Sequence, residues 1–307
     1  MIPWILISCC VFLTACSADR QPGELFGPAE EGTLVIDALL IVDQPLPGIF
    51  VRQTVRPNVP YDQATAAVRG ADVTIRQGER VFRYTEAPDS IGRYLPPANP
   101  SLVTPRTAYH LTVTAGDHQA RATTRTPDRF TIQEAVMLDE QTLEVRRHFK
   151  TFADGADLVF TAPENQVIYL DGLLEARFRP IGVPAYQVGV FSLDLDSERV
   201  IEADFLDDED YEEFERQSSS PPLRAVDGTL RLPWFTIFFG GRHLIKIYAL
   251  DDNWFDFARS SPEQPNQGFG GLAGDDFERP LFSVEGGIGL FGSASVDSLG
   301  FVVLPKE

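Results

Sequence analysis

The sequence predicts a mainly β protein: an immunoglobulin-type sandwich followed by a second β-rich domain with one or two short helices. Three observations predict it. Apolar and polar residues alternate over short stretches, turn residues recur about every ten positions, and apolar residues seldom repeat at helical spacing over a helix's length. No internal repeat organises the chain.

Taken in order, residues 33–42 (TLVIDALLIV) read as a buried strand. ADVTIRQGERVFRYTE (71–86) alternates on either side of Gln77-Gly78, a hairpin signal. IGRYLPP adds a strand, and AYHLTVTAGDHQARATTRTP folds back at Ala115-Gly116-Asp117. These stretches assign residues 33–127 to the sandwich. After Thr126-Pro127 the second domain, 131–307, holds strands in LEVRRHF, ADLVFTA, QVIYLD, LLEARF and QVGVFSLD. DEDYEEFERQ (208–217) is the best helix candidate and SSSPP (218–222) a loop. TLRLPWFTIFF and HLIKIYALD read as apolar strands separated by Gly240-Gly241. The run from Trp234 to Phe239 is apolar on both faces, as in a strand buried between layers. Asn253 is expected to cap a short aromatic helix, WFDFARS, with 261–280 as loop.

The N-terminus predicts the compartment. Residues 1–15, MIPWILISCCVFLTA, are uncharged and almost wholly apolar, and Leu13-Thr14-Ala15-Cys16 has the form of a bacterial lipobox. No Lys or Arg precedes the apolar run, a departure from the usual leader. The run is also shorter than the roughly 20 residues that span a bilayer. The expectation is a signal peptide over 1–15 and a diacylglycerol and N-acyl lipid on Cys16. Residues 16–32 then form a tether rich in Pro, Gly and acid, holding a soluble domain pair to the outer membrane on its periplasmic or surface face. Cys9 and Cys10 fall in the leader, so Cys16 is the last cysteine and no disulfide or thiol site follows.

A formal charge of −19 argues against nucleic acid as a partner. His110, His118, His148 and His243 are scattered without metal-ligand spacing, and no G-x-S-x-G elbow occurs. The stretch 194–215 is strongly acidic. Asp194, Asp196 and Glu198 alternate as calcium ligands do, but Arg199 stands where a calcium loop needs glycine, so they are only weak candidates. FSVEGGIGLFGSAS (282–295) brings Gly286, Gly287, Gly289 and Gly292 near a phosphate-binding spacing. The β-prone SASVDSLGFVVLP follows instead of a helix, so no nucleotide is expected. The glycines are read as backbone bends that let Ile288, Leu290 and Phe291 tuck inward and close the second domain. With no cofactor implied and no catalytic set visible, the expected role is a non-enzymatic binding or accessory module. The alternative is a carboxylate-dependent hydrolase acting on glycans or peptides at the envelope.

Two resemblances add to this. Gly70-Ala71-Asp72-Val73-Thr74-Ile75, Gly92-Arg93-Tyr94 and Tyr109-His110-Leu111-Thr112-Val113 resemble the strands of prealbumin-like and carboxypeptidase-regulatory-like sandwiches, a likeness of fold. The Gly-rich motif, the upstream HLIKIYALDDNWFDF and the lipobox together resemble the Bacteroidota lipoproteins called domain of unknown function 4249. Val284-Glu285 stands where that family has Asn, and the acidic insertion is atypical of it. The resemblance implies an envelope location and a partnership with a TonB-dependent outer-membrane receptor.

Overall fold

The computed structural model describes residues 32–56, 60–168, 172–200, 216–232, 237–261 and 280–304. The first half of the chain runs β1 (Leu34–Ile41), β2 (Ile49–Gln53), α1 (Gln63–Ala66), β3 (Asp72–Gln77), β4 (Arg80–Arg83), β5 (Thr85–Glu86), β6 (Arg93–Leu95), β7 (Ala108–Ala115) and β8 (His118–Arg125). The second half runs β9 (Ile132–Leu138), β10 (Val145–His148), α2 (Leu158–Thr161), β11 (Gln166–Ile168), β12 (Leu173–Phe178), β13 (Tyr186–Ser192), β14 (Gln217–Ser219), β15 (Thr229–Leu232), β16 (Gly241–Leu250), α3 (Asp252–Ser260), β17 (Val284–Glu285) and β18 (Gly287–Leu304). The protein is mainly β. Among the described residues no helix is long and apolar enough to cross a membrane.

One nine-stranded sheet backs two smaller ones. Its order is β14-β13-β16-β18-β1-β2-β6-β5, with β11 also paired to β18. A five-stranded sheet (β17-β8-β7-β3-β4) encloses one core with β1 and β2, holding Ile36, Val51, Ile75 and Leu111. A four-stranded sheet (β10-β9-β12-β15) encloses the other with β13 and β16, holding Met137, Leu174, Val190 and Ile247. Both hairpins read from the sequence form, at Gly78 and Gly116, each with a φ of 57° that glycine adopts without strain.

β18 joins the two halves. At about 3.3 Å per residue, its 18 residues run roughly 60 Å. Residues 287–294 pair in parallel with β1, and residues 294–303 pair antiparallel with β16. The Gly-rich stretch is therefore a strand start rather than a turn closing the second domain. Phe291 is fully buried in the first core, Leu290 is buried, and Ile288 is only half-buried. Gly286 marks the corner where the chain leaves β17, paired to β8, and enters β18, paired to β1. Two layers of the sandwich meet there, and backbone stands where side chains normally would.

Other expectations are corrected. ADLVFTA contains helix α2, not a strand. Gly155 and Pro163 bracket it, and Val159 packs against Gly300, where a Cβ would stand 2.4 Å from Val159 Cγ1. A four-residue apolar run has no period long enough to separate helix from strand. Residues 132–138, unassigned from sequence, form β9. Ser218 and Ser219, read as loop, pair with β13 in β14. The helix read over 208–217 lies outside the described residues except Arg216 and Gln217, and Gln217 begins β14. Trp234 to Thr236 also lie outside them, while Ile237 and Phe239 are buried. The loop read over 261–280 has only its two end residues among the described ones.

α3 is capped by Asp251, not Asn253. The Asp251 carboxylate accepts from Trp254 N at 2.9 Å, three residues on, as an N-cap does. Asn253 instead donates to the Thr123 and Phe291 carbonyls at 2.8 and 2.9 Å, tying the helix to both layers. Asp251 also accepts from the Thr124 hydroxyl, which contacts Ser293 Oγ at 2.8 Å. Burial pushes the Asp251 carboxyl above its ordinary 3.8, against the pull of these hydrogen bonds. The folded protein therefore holds this proton better than the unfolded chain. The stability it contributes is complete below 3.8 and is lost as pH rises through the folded value. Asp251→Asn keeps the cap and removes the titration. Urea midpoints measured from pH 3.5 to 8 should show the variant gaining on the wild type as pH rises, and parallel curves would refute the assignment.

Candidate functional site

The open face of the long sheet carries an aromatic trough. Along β13 the side chains alternate: Val188 and Val190 enter the second core, while Gln187, Gly189 and Phe191 point to the opposite face. β16 continues that face, with Tyr248 opposite Gln187 and Lys246 opposite Gly189. β14 flanks it on the other side, Ser219 opposite Gly189 and Gln217 opposite Phe191. α3 closes one end, its Trp254 ring centred 5.5 Å from that of Tyr248. Leu39 of β1 and Phe238 complete the walls of a depression of about 700 Å³.

Because Gly189 has no side chain, the rings of Phe191 and Tyr248 close over it. A Cβ there would stand 2.9 Å from Phe191 Cε2 and 3.5 Å from Tyr248 Cε2. Lys246 places its ammonium 4.9 Å from the centre of the Phe191 ring, a cation–π contact that fixes that wall. From Gln187 to Phe191 the floor extends about 13 Å along the strand.

Gln187, like Tyr84 and Ser283, carries a buried side-chain polar atom with no hydrogen-bond partner. It is 7% exposed, and its Nε2 donates to the Ser220 carbonyl at 2.9 Å. Its Oε1 is buried with no hydrogen-bond partner. An acceptor left in that condition costs about 1–3 kcal/mol. The charged group beside the described lining is Lys246, whose ammonium lies against the Phe191 ring. Tyr248 is the titratable group of the lining, and burial pushes its phenol up. Several rings and few polar groups suit the holding of a ligand, and the described lining offers no acid–base pair.

A second depression of about 590 Å³ lies on the five-stranded sheet, where Arg76, His110 and Arg121 stand among threonines. His110 Nδ1 is 2.9 Å from Thr123 Oγ1, and Glu285 is the one carboxylate among its described lining residues. It is a polar, solvent-facing sheet surface.

The residues singled out from sequence fall elsewhere. Cys16 lies outside the described residues. Asp194 is gripped by Arg242, whose Nε and Nη2 donate to Oδ1 at 2.8 and 2.6 Å and whose backbone N donates to Oδ2 at 2.7 Å. These hydrogen bonds from Arg242 hold the Asp194 carboxyl below its ordinary range. Arg216 takes the Asp194 carbonyl at 2.7 Å and the Ser197 hydroxyl at 2.9 Å. Asp196 and Glu198 are exposed. Two guanidinium groups therefore occupy the turn, and among the described residues no three His, Cys, Asp or Glu side chains gather as a metal site. Gly286, Gly287, Gly289 and Gly292 face backbone or neighbouring side chains at contact distance. Sequence reasoning missed Gln187, Gly189 and Tyr248 as site residues. The available signal was Gly189, a lone glycine inside an alternating strand, which marks close approach or open space.

The family model described as "Domain of unknown function (DUF4249)" matches residues 24–299, a span that takes in the first core and most of the second and of β18. No curated protein matches the chain.

Proposed function

The chain belongs to that family, the domain of unknown function (DUF4249), and from this premise we propose that it is a non-enzymatic binding module of the cell envelope. Lipid on Cys16 tethers it to the outer membrane, and it serves as an accessory to a TonB-dependent receptor. The observation that carries the binding role is the trough, walled by the rings of Phe191, Tyr248, Trp254 and Phe238 with Lys246 beside it. A hydrolytic role would call for two facing carboxylates about 5–10 Å apart. The described lining of the trough contains none, and that of the second depression contains Glu285 alone.

The anchor is tested by Cys16→Ala. The variant should leave the membrane fraction and lose labelling by a palmitate analogue, and membrane retention would overturn the lipid tether. The accessory role is tested by mild detergent extraction of the wild type. A β-barrel receptor should co-elute in fixed ratio, and elution of the protein alone would remove that part of the reading.

A further inference from the structure

We propose that the second depression, on the outer face of the five-stranded sheet, binds a tetrahedral oxyanion: the phosphate or sulfate ester group of a small polar molecule, gripped by Arg76 and Arg121. The site lies apart from the trough and takes a ligand of its own.

Charge selects the sign of the ligand. β3, β4, β7 and β8 carry five arginines against one carboxylate, Asp72, in a chain of net charge −19. Arg83 lies 3.7 Å from Asp72, and Arg80 donates to Ser101 Oγ. Among the described residues the Arg76 guanidinium meets only the Gly78 carbonyl, at 3.2 Å. Arg121 stands opposite Glu285 in register, yet among the described residues its guanidinium makes no ion pair or hydrogen bond. Register then brings these two cations to one place. Val73, Ile75, Leu111 and Ala122 face the core, so the alternate residues form an outward grid, Arg76-His110-Thr123 in one row and Thr74-Thr112-Arg121 in the next. The arginines hold opposite corners, about 12 Å apart at ordinary sheet spacing, a gap that their side chains can close around one small anion. Both are exposed, as is Thr123, so the donors are reachable. Between them stand the threonine hydroxyls and His110, whose Nδ1 contacts Thr123 Oγ1 at 2.9 Å and whose Nε2 is left for the ligand. Donors converging from several directions match the oxygens of a tetrahedral anion, whereas a carboxylate is satisfied by one guanidinium fork. The depression of about 590 Å³ has no Phe, Tyr or Trp in its described lining, so a neutral sugar finds no ring to stack on and the anionic group carries the binding. Asn253 of α3 and Glu285 of β17 border it, and a carboxylate at the border disfavours a planar anionic surface such as a membrane.

The test titrates the full-length protein, in neutral detergent micelles at physiological ionic strength, with glucose 6-phosphate, glucose 6-sulfate, glucuronate and glucose, read by calorimetry. Saturable binding of the phosphate and the sulfate is expected, with glucuronate at least about tenfold weaker and glucose silent. Inorganic phosphate should compete with both esters. Arg76→Gln and Arg121→Gln should each weaken the esters about tenfold, and the two losses should not add, because both groups hold one anion. Arg83→Gln, on the same face but outside the depression, should leave the affinity unchanged. Thr112→Val removes one hydroxyl and should weaken binding a few-fold, which keeps a readout where an arginine variant folds poorly. Absence of ester binding, glucuronate bound as tightly, full additivity of the arginine losses, or an equal loss in Arg83→Gln overturns the inference. So does binding confined to phosphatidylglycerol vesicles and absent from the soluble esters, which would make the face a membrane contact.

Discussion

Gly289→Val should unfold the first sandwich or leave the protein insoluble. Gly289 sits at φ 107°, outside the range that L side chains adopt, and a β-branched residue there carries about 1–3 kcal/mol of strain. A Cβ would also stand 2.1 Å from the Ile36 carbonyl oxygen and 2.9 Å from the Ile36 nitrogen, both backbone atoms of β1. No rotamer relieves that contact, so β1 and β18 must separate. Their separation loosens the parallel ladder over Leu34 to Ile41 and frees Phe291, whose withdrawal from a core typically costs about 3–5 kcal/mol. Gly78→Val is the control. Gly78 also has positive φ but has nothing within 4 Å of its would-be Cβ, so it should show strain alone. Gly287→Val lies between them, without positive φ but with the Leu34 carbonyl oxygen 2.7 Å away. Melting temperatures should therefore fall in the order Gly78→Val, Gly287→Val, Gly289→Val. Equal losses at Gly78 and Gly289 would show that conformation, not close approach of the strands, explains the motif. Wild-type protein should show no ATP or GTP binding by calorimetry. Nucleotide binding that vanished in a glycine variant of unchanged stability would return the stretch to phosphate recognition.

That motif also shows what the sequence made legible. Alternation and turn chemistry are local, and they make strands such as AYHLTVTA and HQARATTR and the bend at Gly116 legible. The pairing of Leu34 with Gly287 is not local: it spans most of the chain, and nothing in either segment names the other. Read alone, SVEGGIGLFGSAS looks like a turn because glycine is rare inside strands. It is a strand because a second backbone lies where its side chains would be. The trough has the same character. QVGVFSLD and HLIKIYALD read as strands, yet Gln187 and Tyr248 share a site only through the antiparallel register of β13 with β16. Ser218 and Ser219 lie in a Ser/Pro-rich run that local composition assigns to loop, and only pairing with β13 draws them into the sheet.

Glu175→Ala should be the most damaging single loss of a charged side chain among the described residues of the four-stranded sheet. Leu174 and Ala176 enter the second core, so Glu175 and Arg177 fall on the opposite face of β12. There Glu175 is only 4% exposed at its side chain, with Arg177 Nε at 2.7 Å on one oxygen and Arg231 Nε at 2.9 Å on the other. Arg177 Nη1 reaches on to Glu134 at 3.0 Å, and Glu134 meets His148 Nδ1 at 2.7 Å, so acidic and basic side chains alternate across the sheet. Burial works against the charged form of Glu175, but the hydrogen bonds from Arg177 and Arg231 outweigh it and set the carboxyl below its ordinary 4.5. Removing one partner of a buried pair typically costs about 3–5 kcal/mol. Arg177 and Arg231 are 35% and 52% exposed and can turn toward water, which places Glu175→Ala nearer about 2–3 kcal/mol. Glu175→Gln keeps an acceptor for one arginine and should lose less. The pH dependence runs opposite to that of Asp251. A carboxyl whose folded value is depressed contributes stability that is present above 4.5 and lost as pH falls through the folded value. Urea titrations at pH 7 and pH 3 should therefore show the gap between wild type and Glu175→Ala narrowing in acid. A gap that stayed constant would mean that Glu175 acts through packing of its methylenes, and the ladder of charges would then contribute nothing to the fold.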